Sequence, residues 1–103
     1  VAEPIRIRAI ESGGIIDARI LLTHPMESGQ RKDAEGKIIP AHYIQQVKMT
    51  QGSTVVFEAE LGTSVAKNPL LTCQFKGAKK GDKLTVSWVD NKGDKRSDEA
   101  VID

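Results

Sequence analysis

Apolar and polar residues alternate with a period of two along most of the chain, the spacing that sends successive side chains to opposite faces of a β-strand. Ile5, Ile7 and Ala9 alternate with Arg6 and Arg8, and Ile16, Ala18, Ile20 and Leu22 with Asp17 and Arg19. Tyr43, Gln45, Val47 and Met49 alternate less cleanly with Ile44, Gln46 and Lys48, so this segment is expected to bury parts of both faces. Val55, Phe57, Ala59 and Leu61 stand against Thr54, Val56, Glu58 and Glu60. Leu71, Cys73 and Phe75 alternate with Thr72, Gln74 and Lys76, and Leu84, Val86 and Trp88 with Thr85 and Ser87. A weaker seventh segment runs from Lys95 to Ile102.

Turn chemistry falls between these segments, at Ser12-Gly13-Gly14, Gln51-Gly52-Ser53, Gly77 to Asp82 and Asp90-Asn91-Lys92-Gly93. The last is a hairpin signal, with Gly93 placed to take the left-handed conformation. No stretch of ten residues has helical periodicity. Seven short strands in a chain of 103 residues predict one all-β domain spanning 1–103, an immunoglobulin-like antiparallel β-sandwich. Residues 23–41 interrupt the pattern. Either Asp33-Ala34-Glu35-Gly36 turns a short hairpin, with Ile38 and Ile39 returning toward the core, or the segment is an irregular loop.

Charge narrows the function classes. Fifteen Lys and Arg are offset by fourteen Asp and Glu, spread evenly along the chain, which gives no basic field for nucleic acid. The cluster Lys76, Lys79, Lys80 and Lys83 contains Asp82 and reads as a solvated turn. No apolar run approaches the ~20 residues that a membrane-spanning helix needs. No signal-peptide core stands at the start.

Candidate chemistry is sparse. The single cysteine, Cys73, lies on the apolar face of its strand, where a thiol packs as a small hydrophobe; a reactive thiol is the competing reading. A blue-copper site needs two His, a Cys and usually a Met, with ligands downstream of the Cys, but His24, His42 and both Met residues precede Cys73. Two histidines exclude a four-histidine iron site, and their wide spacing gives no zinc motif. There is no G-x-S-x-G elbow and no glycine-rich phosphate loop before a helix. No catalytic residue, cofactor or metal is therefore expected. Two segments are more specific than ordinary loops: His24-Pro25-Met26 and Lys67-Asn68-Pro69. Each proline holds its predecessor extended, either as strand punctuation or as a rigid surface for a partner.

The chain resembles the SoxZ family of the bacterial thiosulfate-oxidation system. The likeness rests on Leu22-Thr23-His24-Pro25-Met26-Glu27-Ser28-Gly29, Pro40-Ala41-His42-Tyr43-Ile44 and Ser64-Val65-Ala66-Lys67-Asn68-Pro69. It continues through Phe75-Lys76-Gly77-Ala78-Lys79-Lys80-Gly81-Asp82 and Trp88-Val89-Asp90-Asn91-Lys92-Gly93-Asp94. The resemblance implies a non-catalytic sandwich subunit paired with SoxY, which carries sulfur intermediates on a cysteine in a Gly-rich C-terminal arm. It also implies transient contact with thiosulfate-oxidation enzymes, and a periplasmic location reached by export with the partner. This chain ends Glu99-Ala100-Val101-Ile102-Asp103, without that arm. Partner-binding residues are expected at His24, Pro25, Met26, Lys67, Asn68 and Pro69. Apolar surplus at Ile44, Val47, Val56 and Val89 is expected to add to them. The alternatives are a similar carrier pair in another pathway and a thiol carrier using Cys73.

Overall fold

The structure, a computed structural model, describes residues 4–103. Seven strands form at the seven alternating segments: β1 (Arg6–Ser12), β2 (Ile15–Leu21), β3 (Ile44–Gln51), β4 (Thr54–Glu60), β5 (Leu70–Lys76), β6 (Lys83–Asp90) and β7 (Lys95–Val101). They pair antiparallel into a three-stranded sheet, β1-β2-β5, and a four-stranded sheet, β4-β3-β6-β7. The β2–β5 and β3–β6 pairings join strands that are not consecutive, as a sandwich requires. Ile16, Ala18, Ile20 and Leu22 from one sheet meet Val47, Met49, Leu84, Val86 and Trp88 from the other in one buried cluster.

Two bulges account for the positions where simple alternation fails. In β3, Ile44 pairs with Asp90 and Gln46 with Val89, leaving Gln45 as an extra residue. The shift turns Ile44 inward beside Val47, and both are completely buried. In β4, Phe57 pairs with Met49 and Val55 with Thr50, so Val56 is the extra residue. Val56 then packs against the core and Val55 is turned out to solvent. The expected faces of Ile44, Val55 and Val56 are thereby exchanged.

The 23–41 segment contains a minimal hairpin. Lys32 bridges Ile38, Ile39 N–H donates to the Arg31 carbonyl, and Asp33 Oδ1 accepts the N–H groups of Glu35 and Lys37. Ile39 is half-buried, but Ile38 remains 61% exposed and does not return to the core.

The two long edges of the sandwich are finished differently. On one edge β1 lies against β7 and the chain end. Asp103 N–H donates to the Ala9 carbonyl, Glu11 N–H to the Asp103 carbonyl, and Ile5 N–H to Asp98 Oδ2 at 2.9 Å. The inward positions of β7 there are Arg96, Asp98 and Ala100, residues that tolerate water. At the other edge the three-stranded sheet is one strand short. The inward residues of β4 and β5, namely Phe57, Ala59, Leu71, Cys73 and Phe75, are all left half-buried.

Candidate functional site

The two motifs singled out in sequence bind each other. His24 N–H donates to Asn68 Oδ1 at 3.0 Å, and Asn68 N–H donates back to the His24 carbonyl at 3.0 Å. Leu22 N–H donates to the Pro69 carbonyl in continuation of the β2–β5 ladder. Asn68 takes a left-handed φ of 52°, which asparagine tolerates better than most residues. Met26 takes φ 49° without that tolerance. The strain is held by two hydrogen bonds: Met26 N–H donates to His24 Nδ1 at 3.1 Å, and Met26 Sδ accepts Ile44 N–H at 3.3 Å.

Beneath this junction both histidines converge on one carboxylate, a grouping their sequence spacing concealed. Nε2 of His24 lies 3.0 Å and Nε2 of His42 2.7 Å from the same Asp90 Oδ2. The other oxygen, Oδ1, accepts the N–H groups of Lys92 and Asp94 at 2.9 Å each, closing the β6–β7 turn in which Gly93 has φ +86° as expected. Burial pushes the Asp90 carboxyl up, but the hydrogen bonds from His24, His42, Lys92 and Asp94 outweigh it and hold the group below its ordinary value. The imidazole rings meet edge to face at 4.5 Å, and the His24 ring stands edge to face with Trp88 at 5.2 Å. Trp88 Nε1 is buried without a hydrogen-bond partner among the described residues.

The chemistry of this cluster follows from where the protons sit. His24 Nδ1 accepts from Met26, so the His24 proton is on Nε2 and is donated to Asp90. The three donor atoms lie within 4.8 Å of one another, close enough in principle for one metal ion. Ligation through His24 Nε2 would leave both ring nitrogens bare, an imidazolate, unless the Met26 contact broke. The residues fit a hydrogen-bonded tie between three loops better than a metal centre.

The other expected site residues are divided between core and surface. His24, Met26 and Pro69 are buried, Pro25, Lys67 and Asn68 are exposed, and Val89 is half-buried on the outer face of β6. Ile44 and Val47 belong to this chain's own core. A cleft of about 510 Å³ opens between the 25–31 and 63–67 loops. Glu27 and Arg31 pair on its wall at 2.6 Å. Cys73 is half-buried at the open edge, and burial, then the Asp17 charge, push its thiol up, away from nucleophilic thiolate.

The family described as "Sulphur oxidation protein SoxZ" matches residues 5–101. No curated protein matches the chain in sequence. Among solved structures, a hypothetical protein of Pyrococcus horikoshii superposes with a TM-score of 0.69 at 16% identity, covering 99% of this chain and 89% of that one. A superoxide reductase (neelaredoxin) of Archaeoglobus fulgidus gives 0.66 at 18%, covering 94% and 86%. A superoxide reductase (neelaredoxin) of Ignicoccus hospitalis gives 0.66 at 14%, covering 98% and 80%. At such identities the likeness is one of fold.

Proposed function

Because this chain belongs to the SoxZ family, and so is a subunit of a Sox sulfur-oxidation system, we propose that it holds a SoxY-type carrier subunit in shape. The partner's cysteine carries the sulfur intermediates, and this chain contributes no catalytic group of its own. The observation that carries the reading is the open edge between β4 and β5. Phe57, Leu61, Leu71 and Phe75 pack against the core yet remain half-buried, on or directly after the edge strands of a four-stranded and a three-stranded sheet. A fully buried side chain of this kind contributes about 1.5–3 kcal/mol, so covering several at once is a strong drive for association. A partner sheet laid along this edge would finish the sandwich, with an apolar centre and a polar rim. The His24–Asn68 junction and the Asp90 tie brace the adjoining loops, so that Pro25 and Lys67 are presented on a rigid frame.

The reading places the pair in the periplasm, where fractionation of the native host would find both subunits together. Its molecular test is association. Mixing the purified chain with its SoxY-type partner should give a one-to-one complex by sedimentation, and Phe57→Asp should weaken it at least tenfold. A Phe57→Asp chain that stays folded and pairs with unchanged affinity would contradict it.

A further inference from the structure

The outward face of the three-stranded sheet carries a second surface, at right angles to the open edge in character: charged and aliphatic rather than apolar. Arg6, Arg8, Arg19 and Lys76 all project from it, and Asp17 is the only acid among them. That excess is larger than the +1 of the entire chain. Arg8 and Arg19 stand directly opposite each other in the β1–β2 register. Like charges placed this way destabilise a sheet. None of the four cations has an ion-pair partner among the described residues. The fold therefore tolerates a repulsion it does not neutralise.

On the same face, to either side of the Arg8–Arg19 row, lie large exposed aliphatic groups: Leu70 is 62% exposed, Ile10 41% and Ile15 40%. Two shallow hollows flank the Arg8–Arg19 pair, one of about 160 Å³ toward Leu21 and Leu70, the other of about 230 Å³ toward Ile10 and Asp17. Guanidinium groups beside aliphatic hollows are the composition of a protein-docking surface. Nucleic acid would call for a wider basic field and stacking aromatics, and the face carries no aromatic residue.

We infer that this face docks an acidic surface of a second protein, distinct from the subunit that covers the β4–β5 edge. Paired guanidiniums donate to carboxylate oxygens in bidentate geometry, and the hollows take the aliphatic side chains between them. Such a contact forms quickly and weakens with salt.

The test uses the chain in complex with its carrier partner, with Arg8→Gln/Arg19→Gln as the variant. The probe is a fluorescein-labelled ten-residue peptide of alternating Glu and Leu. Wild type should bind it, with affinity falling as salt rises from 50 to about 200 mM, and the variant should bind at least tenfold more weakly. The variant should be as thermostable as wild type or more so, since a like-charge pair is gone. Unchanged peptide binding in the variant would overturn the inference. So would a loss of thermostability, which would make the arginines structural, or tighter binding to anionic vesicles or duplex DNA than to the peptide. If instead the variant no longer associates with the carrier partner, this face is the pairing interface and the separate docking surface is refuted. Loss of pairing in Phe57→Asp alone bears only on the β4–β5 edge.

Discussion

Nε2 of His24 donates a hydrogen bond to Asp90 Oδ2 at 3.0 Å inside the core, although the two residues are 66 positions apart in the chain. His42 joins the same oxygen, and the opposite oxygen closes the β6–β7 turn, so one carboxylate ties together three separate segments. The arrangement brings one hydrogen-bonded cluster out of residues that look unrelated in the linear chain. It functions as structure: every acceptor position on Asp90 is occupied by a donor of the protein itself.

Asp90→Asn is expected to destabilise the chain by about 2–4 kcal/mol, because it removes a charged acceptor from buried donors. For a domain of this size that lowers Tm by roughly 10 °C or more. His42→Gln, at a half-exposed position, should cost about 1 kcal/mol. Thermal unfolding followed by circular dichroism separates the two, and equal losses would count against a central role for Asp90.

Acid should unfold the chain through two carboxylates. Asp98 is held below its ordinary value by the hydrogen bond from Arg96, against burial and with help from Ile5 N–H, and Asp90 is lowered as described. A depressed folded-state value means the unfolded chain binds protons first as pH falls. Stability from these groups is therefore complete at neutral pH, begins to decline through the ordinary carboxylate range near ~4, and is gone below the folded-state values. Asp98→Asn should flatten this part of the stability-versus-pH curve, measured by urea unfolding at a series of pH values.

Cys73 should alkylate slowly at neutral pH in the isolated chain, since burial raises its thiol. Urea should restore the rate of a free thiol, and partner binding should slow it further by covering β5. Mass spectrometry after timed iodoacetamide exposure reads all three. Rapid modification of the native chain would revive a thiol-carrier reading.

Much of the fold is legible in the alternation of residues such as Ile16, Ala18, Ile20 and Leu22, because period two leaves one face for the core. The bulges at Gln45 and Val56 are not legible, since nothing in Gln45 or Val56 as residue types demands an extra position. Ile44, which the alternation offers as apolar surplus for a partner, instead fills this chain's core. The motifs His24-Pro25-Met26 and Lys67-Asn68-Pro69 stand out in sequence, but their mutual hydrogen bonds and the role of Asp90 depend on strand pairing between distant segments. The open edge is likewise a property of how many strands each sheet receives, which no single segment records.

Hydrogen exchange on the isolated chain and on its complex with a SoxY-type partner tests the central claim most directly. Amides of β4 and β5, together with the 61–69 connection, should become markedly protected on pairing, while those of β1 and β2 should change little. Absence of a complex, or protection confined to β1 and β2 with β4 and β5 unchanged, would contradict the account.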